Sequence, residues 1–200
     1  MNVYQNQIID ITDVGLVKIN ETEQQSVVRY GDILFTLSSE TPDAALGKKA
    51  VACPTIYLLH GYGGNAKTWI DIKPNLPQIA DEKGIIFVCP DGKNSWYWDS
   101  PINPSFRYET FISSELVKYI DEHYKTIADR KGRAITGLSM GGHGAMWNAI
   151  RHKDTFGAGG STSGGMDIRP FPKNWDMSKQ LGEYESNKEV WDNHTVINQC

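Results

Sequence analysis

The sequence predicts an α/β fold with a mostly parallel sheet and helices on both of its faces. Short apolar runs alternate along the chain with stretches whose apolar residues recur every three or four positions. Two of these runs lead directly into glycine-rich turns, as is typical of strands that are followed by helices. Strands that alternate with helices in this way are joined by crossovers and therefore run parallel.

The first predicted strand and helix lie at residues 55–59 and 69–83. Residues 55–59 are a short apolar run, which is typical of a strand buried on both faces. The helical stretch is interrupted by Pro74 and Pro77, because proline breaks the hydrogen bonding of a helix interior. Gly84 is placed to end it, since glycine readily takes the left-handed conformation that follows a last helical turn.

The remaining elements continue the alternation of strand and helix. Residues 85–90 are a second buried strand, and residues 109–124 carry the spacing of a long helix with one apolar face. Residues 134–136 are a third strand, which leads into a helix that includes residues 145–150. Residues 156–161 predict one further strand.

The most informative stretch is residues 137–141, which match Gly-x-Ser-x-Gly and directly follow the third of these strands. A strand that turns sharply through glycines into a helix lifts the central serine out of the sheet, where its hydroxyl can attack an acyl carbon. Gly142 and Gly144 let the following helix approach the strand closely. The motif therefore makes Ser139 the candidate catalytic nucleophile.

A second glycine-rich stretch, residues 60–64, follows the strand at residues 55–59. In serine hydrolases the loop after this strand supplies one backbone N–H to the oxyanion, and the residue after the nucleophile supplies the other. We therefore predict that the backbone amides of Tyr62 and Met140 bind the oxyanion. Each motif alone also occurs in ordinary turns, so the prediction depends on their order and on their position at strand ends.

These motifs resemble a family of esterases that groups esterase D or S-formylglutathione hydrolase-like enzymes with tributyrin, feruloyl and acetyl-xylan esterases. The resemblance covers roughly residues 50–198. It implies the α/β-hydrolase fold, hydrolysis of a small-molecule ester through an acyl-enzyme on Ser139, and no cofactor or metal ion. It does not choose between short-chain acyl, acetyl and feruloyl esters. The residues that carry it are 60–64, 90–92, 95–97, 99–101 and 137–145.

Large aromatic residues are concentrated in the loop at residues 91–108. Ligand pockets combine apolar walls with a few placed polar groups, so these rings are candidates to line the substrate site. Equally, the rings could only fix the loop to the sheet. The candidate pocket residues are His60, Gly61, Trp96, Tyr97, Trp98 and His143. Phe171, Trp175 and Trp191 are candidates for a lid over the same site.

The catalytic acid and histidine of this fold follow the serine in that order along the chain. After Ser139 the sequence offers one strand, a polar loop and a short helix that ends near Asn198. We therefore expect the last strands, the triad acid and the histidine to lie beyond Cys200, and activity to be impaired in this chain alone. His194, with Asp192 two residues before it, is a weaker alternative, because residues two apart on a helix do not share a face.

The chain divides at residues 49 and 50 into a β-rich segment, residues 1–49, and the esterase-like domain, residues 50–200. Residues 15–20 and 27–36 resemble a segment of the specificity subunit of type I restriction-modification systems, which implies a foreign or divergent piece. Alternatively, the same residues form antiparallel strands that open the hydrolase sheet, with Gly31-Asp32 as the turn.

Composition excludes several other classes of protein. Hydrophobic residues are 40% and charged residues 22%, which are ordinary globular values, and the net charge of −4 with no basic patch argues against nucleic-acid binding. No apolar run is long enough to span a membrane. No signal peptide is visible, so we expect a cytoplasmic protein or one exported with a leader absent from this chain. Three cysteines without metal-site spacing indicate free thiols, and the oligomeric state is open.

Three other functions remain open at this point. The chain could be a non-catalytic ligand-binding relative of the esterases, or a fragment. It could also be an acyltransferase or thioesterase of the same fold.

Overall fold

The computed structural model describes residues 51–200 together with four strands of the preceding segment, at residues 2–4, 7–8, 16–18 and 33–36. The strands are β1 (Asn2–Tyr4), β2 (Gln7–Ile8), β3 (Leu16–Lys18), β4 (Ile33–Thr36), β5 (Thr55–Leu59), β6 (Ile86–Pro90), β7 (Arg133–Gly137) and β8 (Ala158–Gly159). The helices are α1 (Thr68–Ile72), α2 (Leu76–Lys83), α3 (Tyr108–Thr110), α4 (Leu116–His123), α5 (Met140–Arg151), α6 (Met177–Leu181) and α7 (Lys188–Asn193).

Six of the strands form one sheet in the order β3-β4-β6-β5-β7-β8, whereas β1 and β2 pair separately. Strand β5 pairs in parallel with β6 and with β7, and β7 pairs in parallel with β8. Only the pairing of β4 with β6 is antiparallel within this sheet. The predicted mostly parallel sheet is therefore confirmed.

Side chains of successive residues in the central strands enter two different cores. Tyr57 and Leu59 pack with α4 and α5, whereas Leu58, between them, packs with α2. The same alternation places Val88 in the first core and its neighbours Phe87 and Cys89 in the second. Because side chains of a strand point alternately to opposite faces, this pattern confirms that helices cover both faces of the sheet.

The helix predicted before β6 is confirmed in two pieces, α1 and α2, separated at the first proline. Gly84 ends α2 with a φ of 63°, and its N–H donates to the carbonyl oxygens of Ala80 and Asp81. The long helix predicted at residues 109–124 is present as α3, a π-helical stretch at Phe111–Glu115, and α4.

Two expectations about strands need correction. The strand predicted at residues 156–161 is limited to Ala158–Gly159, although the chain stays beside β7 after it: the N–H of Thr162 donates to the carbonyl oxygen of Gly137, and the N–H of Ser139 donates to that of Thr162. Strands β3 and β4 pair in parallel and not as an antiparallel hairpin; the 14 residues between them are long enough for a crossover. The proposed turn at Gly31-Asp32 lies outside the described residues, and the boundary at residues 49 and 50 remains a prediction.

Candidate active site

Ser139 lies at a sharp turn between β7 and α5. Its φ of 54° and ψ of −115° are strained for a residue with a side chain, as expected where a serine is lifted out of a sheet. The turn depends on glycine at both ends. A Cβ atom at Gly141 would lie 2.2 Å from the carbonyl oxygen of Leu59, and one at Gly137 would lie 2.3 Å from that of Gly141.

The loop after β5 lies directly against this turn. A Cβ atom at Gly61 would lie 3.3 Å from the carbonyl oxygen of Leu138 and 3.5 Å from the Cβ of Ser139. The next residue, Tyr62, lines the same cleft as Ser139. Within residues 51–200, no carbonyl or side chain accepts a hydrogen bond from the amides of Tyr62 or Met140. Two backbone donors near Ser139 are thus left for a ligand.

The buried ring of His60 holds the backbone of this loop. The N–H of Gly92 donates to Nε2 over 2.9 Å, so the proton is carried on Nδ1. Nδ1–H donates to the carbonyl oxygen of Gly61 over 2.7 Å. The Tyr97 hydroxyl donates to the carbonyl oxygen of His60 over 3.0 Å. Both ring nitrogens of His60 are therefore occupied in holding backbone.

The cleft above Ser139 has a volume of about 120 Å³ and mostly apolar walls. Trp96, from the aromatic loop, lines it, and its indole N–H donates to the carbonyl oxygen of Trp175 over 3.0 Å. The rings of Phe171 and Trp175 lie 5.5 Å apart at its rim and are each more than 40% exposed. The full lining is Tyr62, Trp96, Ser139, Ser163, Gly165, Asp167, Ile168, Phe171, Trp175 and Met177.

Three aromatic candidates lie elsewhere. Tyr97 is buried between the two motifs, where a Cβ atom at Gly92 or Gly144 would meet its ring at 2.2 or 2.3 Å. Trp98 is buried, with its ring centroid 5.0 Å from that of His143. The lid prediction is wrong for Trp191, whose buried indole N–H donates to the carbonyl oxygen of Gly182. Of the three adjacent aromatic residues 96–98, Trp96 is the one that lines the cleft, and the ring of Trp98 stacks on it at a centroid distance of 5.6 Å.

The other predicted pocket residues, His60, Gly61 and His143, lie behind the cleft wall and not in it. His143 is fully buried, and its Nδ1–H donates to the carbonyl oxygen of Gly165 over 2.8 Å. This hydrogen bond ties α5 to the loop that lines the cleft. Burial lowers the pKa of His143 to about 4, so the imidazole is neutral at pH 7.

Sequence reasoning missed the stretch at residues 163–168, which forms one wall. The signal available was its position after β8, because the carboxyl ends of parallel strands meet at the edge of the sheet where ligands bind. In this stretch the Asp167 carboxylate accepts two hydrogen bonds of 2.8 Å from Arg169. These bonds lower the pKa of Asp167. Arg169 also donates to Asp192 over 3.0 Å.

No imidazole of residues 51–200 lines the Ser139 cleft. His194 stacks on Trp147 at a centroid distance of 5.5 Å, and its Nδ1–H donates to the carbonyl oxygen of Val190. It lines a separate cavity of about 330 Å³ together with Glu109. Asp192 is engaged by Arg169. The acid and histidine pair considered from the sequence is thus directed away from Ser139.

Neither a metal centre nor a membrane span is found among the described residues. No group of three or more His, Cys, Asp or Glu side chains in this part of the chain is arranged to hold a metal ion. Its helices are all too short or too polar to cross a bilayer.

A family model described as "Putative esterase" matches residues 38–199. The chain belongs to this esterase family. Among its relatives, the acetyl esterase of Caldicellulosiruptor saccharolyticus is 29% identical over 126 residues, which are 62% of this chain and 47% of that protein. The MPT51/MPB51 antigen of Mycobacterium tuberculosis (strain ATCC 25618 / H37Rv) is 34% identical over 154 residues, 76% of this chain and 50% of the antigen.

Solved structures of related proteins share the fold of this chain. A ferulic acid esterase superimposes with a TM-score of 0.61 at 29% identity, over 84% of this chain and 70% of that one. The serine hydrolase FphF of Staphylococcus aureus superimposes with a TM-score of 0.70 at 19% identity, over 84% of this chain and 65% of that one, which shows the α/β-hydrolase fold. The chain spans half or less of the length of the curated relatives it matches.

Proposed function

We propose that the chain carries the nucleophile, the oxyanion site and the acyl pocket of a serine carboxylic-ester hydrolase. One observation carries this proposal: Ser139 is held in a strained turn at a cleft, beside two backbone amides that no described residue accepts from. Backbone strain of this kind persists where function requires it. Membership in the esterase family supports the same reaction class.

In the proposed reaction, Ser139 Oγ attacks the carbonyl carbon of the ester. The electron pair of the C=O π bond moves to the oxygen, and the amides of Tyr62 and Met140 donate to the resulting oxyanion. The intermediate collapses, breaks the bond to the alcohol oxygen and leaves an acyl group on Ser139. Water then attacks the acyl-enzyme by the same steps and releases the acid. Losing one such amide donor costs about 10² to 10³ in kcat.

The proposed reaction needs a base to take the Ser139 proton and return it to the leaving alcohol. The imidazoles of residues 51–200 hold backbone carbonyls or a carboxylate and lie outside the cleft. We therefore place the catalytic histidine and its carboxylate partner outside these residues. Residues 1–200 alone would then retain about 10³ to 10⁴ of rate over water, from oxyanion binding and substrate binding.

The proposed acyl group is short. The cleft of about 120 Å³ is smaller than the engineered apolar cavity of roughly 150 Å³ that binds benzene, so it suits acetyl to butyryl better than a feruloyl group. The relative from Caldicellulosiruptor saccharolyticus is an acetyl esterase. Trp96 and Ile168 line this cleft and would supply apolar contact for the acyl chain.

A non-catalytic ligand-binding protein is the second candidate. The absence of an imidazole from the lining of the described cleft favours it. In that case Ser139 would contribute only a hydroxyl to a binding site, and its removal would leave ligand affinity almost unchanged.

The test is covalent labelling and turnover with p-nitrophenyl acetate, p-nitrophenyl butyrate and methyl ferulate. We compare the parent with Ser139→Ala and with Ser186→Ala, an exposed serine remote from the cleft. We expect an acyl adduct on the Ser139 peptide in mass spectra of the parent and the Ser186 variant, and none in Ser139→Ala. Acetyl should be transferred faster than feruloyl. Thermal stabilisation by butyrate without any adduct would support the binding protein instead.

A further inference from the structure

The Tyr62 side chain joins two segments that lie far apart in the sequence. Its hydroxyl donates to Asp176 Oδ2 over 2.9 Å. The other carboxylate oxygen, Oδ1, lies 2.9 Å from the ammonium of Lys179. We call these three side chains the latch. It connects the loop after β5 to the segment at residues 171–177, which forms one side of the cleft.

The carboxylate of Asp176 is directed to the latch instead of to its own helix. Asp176 occupies the N-cap position of α6, where an aspartate normally accepts hydrogen bonds from the first backbone amides. Here its side chain makes no such capping bond. It gives up this local role for a contact with a loop 114 positions away.

The backbone at the latch is strained as well. Trp175 and Asp176 have consecutive φ values of 52° and 56°, which residues with side chains adopt only when their surroundings impose them. Two hydrogen bonds hold this backbone in place: the Trp96 indole N–H donates to the carbonyl oxygen of Trp175, and the Tyr62 hydroxyl donates to Asp176. Segment 171–177 is therefore tied to two residues that also line the cleft.

The Tyr62 hydroxyl adds a side-chain restraint to a loop that is otherwise held through its backbone. Glycines flank Tyr62 on both sides, and Gly63 has a φ of 74°. The carbonyl oxygen of Gly61, in the same peptide unit as the Tyr62 N–H, accepts hydrogen bonds from His60 Nδ1–H over 2.7 Å and from the N–H of Gly64 over 3.0 Å. The Asn94 side chain accepts from the N–H of Gly63. The Tyr62 side chain is 38% exposed, and its hydrogen bond to Asp176 links this loop to segment 171–177.

We propose that Asp176 is a positioning residue for the oxyanion site: through the Tyr62 hydroxyl it restrains the loop that carries the Tyr62 amide and holds segment 171–177 against the cleft. This inference rests on the proposed function of the Ser139 site. Asp176 touches neither the substrate carbonyl nor Ser139, and it acts through Tyr62. Lys179 orients the carboxylate and keeps it ionised. The pKa of Asp176 is lowered by Lys179 and by Tyr62, which is consistent with this arrangement.

The experiment compares Tyr62→Phe, Asp176→Asn and the double variant with the parent. Tyr62→Phe keeps the backbone amide and removes only the hydroxyl, and asparagine tolerates the left-handed conformation at position 176. The matched control is Glu185→Gln. It removes a carboxylate from another exposed ion pair whose partners are three positions apart, since Glu185 lies 3.0 Å from the ammonium of Lys188. Two quantities are measured: amide hydrogen exchange at residues 60–64 and 171–177, and kcat and KM for p-nitrophenyl acetate.

We expect both single variants to speed exchange in both segments by at least about threefold, with the double variant no faster than either. We expect kcat to fall about tenfold, a fraction of the loss for a missing oxyanion donor, with KM changed less than threefold. Glu185→Gln should change neither quantity. A purely structural contact would lower the melting temperature and leave kcat unchanged, and that result would overturn the proposal.

The exchange measurement separates this proposal from the proposed function. Exchange unchanged in both segments would refute the latch, whatever the activity. Faster exchange only at residues 171–177 would refute the effect on the Tyr62 amide. If the parent forms no acyl adduct on Ser139, the proposed function fails, and the exchange rates still decide whether the latch fixes the loop.

Discussion

The Ser139 cleft and the cavity beside Glu109 make an instructive pair. The Glu109 cavity is larger, about 330 Å³ against 120 Å³, and more ionisable side chains line it than line the Ser139 cleft. Yet several side chains of the Glu109 cavity are hydrogen-bonded to one another. Glu109 accepts hydrogen bonds of 2.8 Å from Trp147, from Arg151 and from His152. The smaller cleft combines a strained serine with two amides that no described residue accepts from.

The difference shows which features point to a reactive site. Charged groups that satisfy one another stabilise the fold and have little left to offer a ligand. Strained backbone and unpaired donors cost free energy, so they persist only where something else requires them. Cavity volume and the number of histidines would select the Glu109 cavity instead of the proposed site at Ser139.

The largest effect is expected from Gly141→Ala, which distorts the turn that positions Ser139. The new Cβ would lie 2.2 Å from the carbonyl oxygen of Leu59, which belongs to the backbone of β5 and cannot move cheaply. We expect the free energy of unfolding to fall by about 3 kcal/mol and acylation of Ser139 to be lost. Denaturant unfolding and the labelling assay measure the two effects.

Gly84→Ala is the matched control for this substitution. Gly84 has a positive φ, 63°, and an added Cβ would meet nothing within 4 Å, whereas at Gly141 the cost comes from the steric clash. Only conformational strain remains, so the cost should be about 1 kcal/mol and acylation per folded molecule should be unchanged. Equal losses for the two variants would mean that the turn at Ser139 is not specially constrained.

The parts of the site that were predictable from sequence are those whose geometry is locally determined. Residues 137–141 and 60–64 are glycine-rich because backbone passes close to backbone there, and glycine is a signal that sequence displays directly. The strands that lead into them are short apolar runs, and β5, β6 and β7 were found within one residue of their observed bounds. The position of Ser139 at the end of a strand follows from these local signals.

The rest depends on contacts between distant residues. Trp96, Tyr97 and Trp98 are adjacent aromatic residues of one core cluster, and nothing in the sequence distinguishes Trp96, which also lines the cleft, from the other two. The wall at residues 163–168 has no periodicity, and it is placed by the hydrogen bond from His143 to Gly165. The parallel pairing of β3 with β4 likewise depends on where the rest of the sheet lies.

Lowering the pH should destabilise the folded protein through His143, which lies behind the cleft wall. The pKa of His143 is about 4 when folded and near 6.5 when unfolded, so the unfolded chain takes up a proton first as the pH falls. Stability is therefore complete above pH 6.5 and is lost between pH 6.5 and 4, by up to about 3 kcal/mol. Burial also lowers the pKa of His194, which adds a loss of the same sign.

Urea titrations from pH 7 to pH 4 measure this loss, with His143→Gln as the comparison. Glutamine does not titrate, so the variant should show a shallower decline over this window. Equal slopes for the parent and the variant would place the titration elsewhere, in His194 or in exposed groups.

The smallest effect on activity is expected at the other region, from Glu109→Gln. Burial would raise the pKa of Glu109, but the hydrogen bonds from His152, Arg151 and Trp147 outweigh it and lower the pKa to about 2. Removing the charge weakens three bonds at once, so the free energy of unfolding should fall by about 1 to 3 kcal/mol. Because a folded pKa lowered from 4.5 contributes stability that is lost only as the pH falls toward 2, this cost should be full at pH 7.

Acylation of Ser139 per folded molecule should be unchanged in Glu109→Gln, since the cavity and the cleft share no lining residue. Glu115→Gln, an exposed carboxylate on the same helical stretch, is the control for charge removal alone. A variant that folds as stably as the parent but acylates slowly would reverse the comparison. It would mean that the Glu109 cluster acts on the chemistry, through the stack of His194, Trp147 and His143 that runs from the cavity to the back of the cleft wall.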